Sequence, residues 1–286
     1  MIDPTTDISP SPFQRKVLAV PETYNLFLGG GRGGGKSFGA LLAVLRHVEQ
    51  YRNRARSLIV RETYKAASEL AETLFQLLVV AYGSKGFRYN KADNVFRIGS
   101  GAVIEVGQLD NAQAYNKYQG RSFTLLVVDE AGLIRDLRWV AMLRSNLRAA
   151  KGIPLREIRT ANPGGPAHAA LTREHVNRAP AWAPYSIDGD VWVNCPSTYA
   201  ENPHIDAETY LRRLRAAVGN DAELLRAWQE GDWNIARGAF FGDVFDPAVH
   251  VLPTDFCPPW RLRGKRTAIG LDWGSAAPAV ALRRRP

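Results

Sequence analysis

The stretch GGRGGGKS, residues 30–37, decides the fold. It matches the phosphate-loop pattern G-x-x-x-x-G-K-[ST] at every fixed position, between a strand pattern at 24–28 and a helix pattern from 37 to about 51. Glycines let backbone N–H groups wrap a polyphosphate, and the helix N-terminus adds its positive dipole end. The predicted contacts are Gly30, Gly31, Gly33, Gly34, Gly35, Lys36, which extends to the β- and γ-phosphates, and Ser37, which holds Mg²⁺.

Two alternatives compete with a nucleotide site at this loop. It could be a flexible glycine-rich connection, or a dinucleotide fingerprint on Gly29, Gly31 and Gly34. Neither alternative requires a Lys-Ser pair at 36–37, so the phosphate loop is the favoured interpretation.

A second motif, which carries two adjacent acids, follows in LLVVDEA, residues 125–131. Four apolar residues predict a strand buried on both faces, and the acids come where that strand ends. We expect Asp129 to hold Mg²⁺ through water and Glu130 to polarise the attacking water as general base. The loop and the acids together predict ATP and Mg²⁺ as cofactors.

The remaining pattern alternates between strands and helices, which is typical of a parallel sheet covered by helices. The sequence therefore predicts an α/β P-loop NTPase of the helicase/RecA-like ASCE type, with a mostly parallel sheet flanked by helices. The further predicted elements are strands at 57–61, 124–128 and 155–160, a hairpin of 95–98 with 102–107, and helices ending near 80, at 207–217 and at 221–230.

Composition favours a globular protein with a charged partner. Hydrophobic residues make up 45% and charged residues 23%, so the chain can build a substantial core. No apolar run approaches a membrane span and the N-terminus lacks a signal-peptide pattern, so no membrane association and a cytoplasmic location are expected. The formal net charge of +9 suits a phosphate backbone, although a GC-rich genome also favours arginine.

Several further motifs resemble those of phage terminase large subunits, over about 14–274. They are Phe13-Gln14-Arg15 upstream of the loop, the segment 120–131 around the acids, Thr160-Ala161-Asn162-Pro163, and the segments 201–211, 231–233 and 238–241. The resemblance implies an ATP-hydrolysing motor that moves double-stranded viral DNA into a procapsid. It also implies a portal protein, a small terminase subunit and a homo-oligomeric ring as partners, in the cytoplasm of an infected or lysogenic bacterium and transiently at the procapsid portal.

Residue roles follow from the same resemblance. It implies that Gln14 contacts the adenine edge, that Arg32 stabilises charge on the leaving phosphate, and that Thr160 and Asn162 couple hydrolysis to domain movement. Arg32 could instead face solvent or DNA. Arg61 is a weaker candidate for an arginine finger offered by a neighbouring subunit.

The resemblance also suggests a domain organisation. We expect an ATPase domain at 1–246 with a lid region at about 166–246, a proline- and arginine-rich linker at 247–266, and the start of a ribonuclease H-like nuclease at 267–286. Asp272 matches the first metal ligand of that nuclease. Its later strands and acids are expected to be absent, so no nuclease activity is expected from this chain.

Two other functions remain open from sequence. One is a different helicase-like P-loop DNA translocase, and the other is a non-catalytic assembly fragment that binds a portal or a small terminase subunit. ATP hydrolysis separates the enzymes from the assembly fragment, and unwinding of a forked duplex separates a helicase from a packaging motor.

Overall fold

The computed structural model describes residues 8–235 and the backbone of 268–272 and 280–284. The chain divides into two compact units, Met1–Asn234 and Ile235–Pro286. The first contains α1 (Pro12–Ala19), β1 (Asn25–Leu28), α2 (Lys36–Tyr51), β2 (Arg56–Arg61), α3 (Tyr64–Tyr82), β3 (Phe87–Asn90), β4 (Val95–Ile98), β5 (Val103–Gln108), α4 (Ala112–Asn116), β6 (Leu125–Val128), α5 (Arg138–Arg144), β7 (Arg156–Thr160), α6 (His168–Leu171), β8 (Pro184–Ile187), β9 (Asp190–Asn194), α7 (Ala207–Val218) and α8 (Ala222–Glu230); the second contains β10 (Ala268–Asp272) and β11 (Val280–Arg284).

The first unit is built on one nine-stranded sheet in the order β3-β4-β5-β2-β6-β7-β1-β9-β8. The six strands from β5 to β9 in this order run parallel, and β3, β4 and β8 add antiparallel edges. All carboxyl ends of the parallel strands therefore meet at one edge of the sheet. The predicted α/β fold with a mostly parallel sheet is confirmed.

Helices cover both faces of the sheet and divide the core into two layers. Successive strand residues point to opposite faces, so Leu26 and Leu28 of β1 pack in the layer with α1, α2 and α3. Phe27 packs in the other layer, with residues of α4, α5 and α6. Strands β1 and β6 are buried along their whole length, as the apolar sequence 125–128 predicts.

Four strands were not predicted from sequence. Strand β3 extends the predicted hairpin, and β8 and β9 form a second hairpin at the opposite edge. In the second unit β11 pairs with β10 in antiparallel register, with Asp272 opposite Val280. The expectation that every strand after β10 would be absent was wrong, because the apolar residues of β11 follow closely enough to form a hairpin.

Some predictions fall on residues outside the described part of the chain. These are the linker at 247–266, the motif at 238–241 and the side chain of Asp272. Among the described residues, no helix is both long and apolar enough to cross a membrane.

Candidate functional site

The glycine loop connects the end of β1 to α2 at the carboxyl edge of the sheet. Gly33 and Gly35 have φ angles of 77° and 75°, a backbone region that glycine adopts without steric cost. The Gly33 carbonyl accepts a hydrogen bond from Asn202 Nδ2 at 2.7 Å, and the Gly35 carbonyl accepts one from Gln14 Nε2 at 3.1 Å. In a trans peptide the C=O and the next N–H point in opposite directions. The N–H groups of Gly34 and Lys36 therefore face away from these two amides.

Helix α2 begins differently from the other long helices. Side chains of Ser11, Thr63, Asp206 and Asp221 accept N–H groups at the starts of α1, α3, α7 and α8. The N-cap of α2 is Gly35, which offers no such side chain. Because the first N–H groups of a helix need an acceptor, the start of α2 is suited to an anion.

Lys36 lies buried at this helix start. Its Nζ donates to Asn162 Oδ1 at 2.8 Å, to the Gly30 carbonyl at 3.3 Å and to the Gly31 carbonyl. All three acceptors are uncharged oxygens. Burial lowers the pKa of Lys36 to about 7, although the Asp129 carboxylate opposes the shift. A buried cation that is satisfied only by neutral oxygens favours the arrival of an anion.

The two acids at the end of β6 have different surroundings. Asp129 is buried, and its carboxylate accepts Arg61 Nε at 2.7 Å, Arg61 Nη2 at 2.6 Å and Thr160 Oγ1 at 2.6 Å. Glu130 is partly exposed and has a φ of 56°, which is uncommon outside glycine. Its N–H donates to Thr160 Oγ1 at 2.9 Å. Asp129 is thus held in place, while Glu130 leaves the strand in a strained turn and its partly exposed carboxylate lies 3.8 Å from Arg61 Nη1.

The two residues predicted to couple hydrolysis to movement contact the loop and the acids directly. Thr160 ends β7, which lies between β1 and β6 in the sheet, and its hydroxyl joins Asp129 to the Glu130 backbone. Asn162 accepts the Lys36 ammonium. The structure therefore brings together Lys36, Asp129, Glu130, Thr160 and Asn162.

The two candidate arginines, Arg32 and Arg61, have different surroundings. The exposed Arg32 guanidinium lies 3.4 Å from the ring centroid of Trp228, and the Arg32 N–H donates to the Trp228 carbonyl at 2.7 Å. A role for Arg32 at the leaving phosphate stays a prediction. Arg61 pairs with Asp129 of its own chain, and its role as an arginine finger stays a prediction.

Gln14 lies beneath the loop and is almost completely buried. Its Oε1 accepts the Ser11 N–H at 2.8 Å, as part of the cap of α1, and its Nε2 donates to Gly35. Both ends of the amide are therefore used within the chain. Contact with an adenine edge stays a prediction for this residue.

Sequence reasoning missed the contacts that the segment after β9 makes with the loop. Gly31 N–H donates to the Ser197 carbonyl at 2.8 Å, and the ring of Tyr210 packs against Gly33. The Ser197 hydroxyl is buried beside Gly34 and has no hydrogen-bond partner among the described residues. Asn202 lies in the segment 201–211, within the predicted lid region. Its contact with Gly33 spans 169 residues, so no local sequence pattern predicts it.

A glycine loop between a strand and a helix, with an acidic pair at the end of a nearby parallel strand, defines a P-loop NTPase domain of the ASCE type. The model of one family, described as "Terminase large subunit, T4likevirus-type, N-terminal", matches residues 27–242. The match covers most of the chain, which therefore belongs to this family.

Solved structures agree on the fold. The large terminase of a thermophilic bacteriophage has a TM-score of 0.62 and 18% identity over 96% of this chain. A second structure of that protein, in complex with ATP-gamma-S, has a TM-score of 0.58 and 19% identity over 96% of this chain. This chain spans 64% of that protein's length in both structures. The large terminase ATPase domain of Thermus phage P74-26 has a TM-score of 0.53 and 13% identity, over 77% of this chain and 92% of that domain. A comparison with curated protein sequences found no match.

Proposed function

We propose that this chain is the ATP-hydrolysing motor part of a terminase large subunit and drives double-stranded viral DNA into a procapsid. The observation that carries the proposal is the buried Lys36, held only by neutral oxygens at the start of an uncapped helix. The polyphosphate of ATP supplies the negative charge that this site lacks. Family membership and a related large terminase in complex with ATP-gamma-S support ATP as the ligand.

The residues at the site suit the proposed chemistry. Lys36 and the N–H groups of the loop bind the β- and γ-phosphates, and Arg32 stabilises charge on the leaving phosphate. The hydroxyl of Ser37 and the carboxylate of Asp129 are oxygen donors of the kind that Mg²⁺ prefers. Because Arg61 and Thr160 already contact the Asp129 carboxylate, its contact with the ion is best made through water. Mg²⁺ supplies neutralisation of phosphate charge when bound.

Glu130 is the proposed general base. Its partly exposed carboxylate accepts a proton from the water that attacks the γ-phosphorus, and the bond to the β-phosphate oxygen breaks to release ADP. Thr160 contacts both acids, and Asn162 contacts Lys36. A change at the phosphate site therefore changes the hydrogen bonds of Thr160, at the end of β7, and of Asn162, in the loop after it. This is the proposed route of coupling.

Turnover of ATP by the purified chain tests the enzymatic part of the proposal. We expect slow Mg²⁺-dependent phosphate release, and loss of turnover in Lys36→Ala, because the charge facing the β- and γ-phosphates is gone. A chain that folds but neither binds nor hydrolyses ATP would instead be an assembly fragment. Unwinding of a forked duplex would identify a helicase.

Binding to duplex DNA tests the substrate part. The net charge of +9 suits contacts with a phosphate backbone, so affinity should fall steeply as salt rises and should not depend on base sequence. Affinity that stays flat between low and physiological salt contradicts this part. The portal protein, the small terminase subunit and a homo-oligomeric ring are the further proposed partners.

A further inference from the structure

The segment from Ser197 to Asn202 continues the sheet into the glycine loop. Strand β9 pairs with β1, and the pairing extends past the strand ends as Ser197 N–H donates to Gly29 at 3.1 Å and Ser197 C=O accepts Gly31 N–H at 2.8 Å. A short turn of 3₁₀ helix at Tyr199–Glu201 then leads to Asn202. The loop is therefore fixed by backbone contacts at Gly31 and, further along, by the side chains of Asn202 at Gly33 and Gln14 at Gly35.

The two ends of the Asn202 amide have separate partners. Its Oδ1 accepts the His204 N–H at 3.1 Å and closes a turn around Pro203. Its Nδ2 donates to the Gly33 carbonyl at 2.7 Å. Because only the oxygen can accept the His204 N–H, the nitrogen must face Gly33. The local turn thus aims the amide donor at the loop.

This contact controls the direction of one peptide unit of the loop. The Gly33 carbonyl is held outward, so the Gly34 N–H in the same unit is held inward. Gly33 has a positive φ and packs against Tyr199 and Tyr210, so its conformation depends on what surrounds it. A peptide between two glycines otherwise flips at little steric cost.

We propose that Asn202 is a positioning residue for nucleotide binding, which keeps the Gly34 N–H directed toward the phosphates by holding the Gly33 carbonyl outward. The identity of the ligand, a nucleotide, rests on the proposed function. The orientation of the peptide between Gly33 and Gly34 does not. The contact also gives the segment before α7 a direct connection to the phosphate site. The Asn202 hydrogen bond, together with the packing of Tyr210 of α7 against Gly33, then links movement of α7 to release of nucleotide.

Asn202→Ser tests the proposal without adding charge. The serine hydroxyl can still accept the His204 N–H, but it is too short to reach Gly33. The matched control is Asn116→Ser at an exposed position of α4. Asn202→Asp is the companion variant: it keeps an oxygen for His204 and removes the donor, but it also adds a negative charge near the phosphate site, so only its hydrogen exchange in the ligand-free chain is compared.

Two measurements separate this inference from the proposed function. Hydrogen exchange of Gly31 and Arg32, whose N–H groups donate to backbone carbonyls, should be about tenfold faster in the ligand-free Asn202→Ser chain than in the parent and the control, the equivalent of one lost hydrogen bond. The Kd for a fluorescent ADP analogue should rise about tenfold, and the KM for ATP with it, while kcat changes less than about threefold.

In whichever variant folds, exchange within about twofold of the parent would overturn the proposal, and so would affinity within about twofold in Asn202→Ser. If the parent itself fails to bind nucleotide, the proposed function is wrong. The exchange of the ligand-free chains then still decides whether Asn202 holds the loop.

Discussion

Two clusters of buried charge lie on the same sheet and differ in how their charges are satisfied. In the β7 cluster, formed by Glu157, Arg159, Glu174, His175 and Arg144, each ion faces an opposite charge. Arg159 Nε lies 2.6 Å from Glu157 Oε1, its Nη1 lies 3.3 Å from Glu174, and Arg144 lies 3.3 Å from Glu157. The pairs run from the buried Glu157 out to the exposed Asp190, which Arg144 also contacts at 2.6 Å.

The loop-edge cluster, formed by Lys36, Asp129, Arg61 and Thr160, is arranged otherwise. Asp129 is neutralised by Arg61, which leaves Lys36 with carbonyl and amide oxygens as its acceptors. Buried ions are normally paired. Buried Arg156, at the opposite end of β7 from Thr160, also keeps only a carbonyl acceptor among the described residues. Buried charge by itself therefore does not mark a ligand site; what distinguishes Lys36 is that it combines neutral acceptors with a position in the glycine loop at the start of an uncapped helix.

The largest expected effect is in the β7 cluster. Arg159→Met leaves the fully buried Glu157 carboxylate without its closest cation, so the free energy of unfolding should fall by about 3–5 kcal/mol. Urea denaturation measures the change. A loss below about 1 kcal/mol would show that ion pairs do not satisfy the charges of this cluster.

The matched substitution in the loop-edge cluster should not lower the free energy of unfolding. Lys36→Met removes a buried cation whose pKa burial has already lowered to about 7, so the desolvation cost of that cation is relieved and the free energy of unfolding should stay unchanged or rise. Binding of ADP should be lost in the same variant. If Lys36→Met destabilises the chain as much as Arg159→Met, the two clusters do not differ.

A smaller effect concerns the stability of the fold at acidic pH. Burial, followed by the charges of Arg159 and Arg144, lowers the pKa of His175 well below 6.5, and its Nε2 lies 3.2 Å from Arg159. The unfolded chain therefore binds this proton first, and stability should fall as pH drops below about 6.5, by about 1.4 kcal/mol per unit. Denaturation at pH 7 and 5.5 should show a shallower loss in His175→Gln. The exposed His204→Gln is the control, and equal slopes in both variants would exclude His175 as the cause.

Local patterns allowed much of the site to be predicted. The loop and the acids follow the apolar strands β1 and β6, and Thr160 was indicated by the family resemblance. The carboxyl ends of parallel strands meet at one edge. Strands β8 and β9 were missed because each has only four or five residues, although Tyr185 and Ile187 alternate with polar residues and Asp188-Gly189 is a hairpin-turn signal. The pairing of Arg61 with Asp129 was missed because it depends on β2 and β6 being neighbours in the sheet, which local sequence does not encode.

The positions of Gln14 and Asn202 show the same limit. A sequence pattern can suggest that an amide belongs to the nucleotide site, but not which end of it is already used. Gln14 contacts the loop across 21 residues and Asn202 across 169. Such contacts are fixed by packing of α1 and of the segment after β9, so only the folded chain reveals them.

The most direct test of the account is ATP turnover by Glu130→Gln. The substitution keeps the size and the backbone of the residue but removes the proposed base, so phosphate release should fall about 10²- to 10⁴-fold. The Kd for nucleotide should stay within about threefold of the parent, because Lys36 and the loop are intact. Glu69→Gln, at an exposed position of α3, should behave as the parent. Turnover by Glu130→Gln at the parent rate would contradict the account.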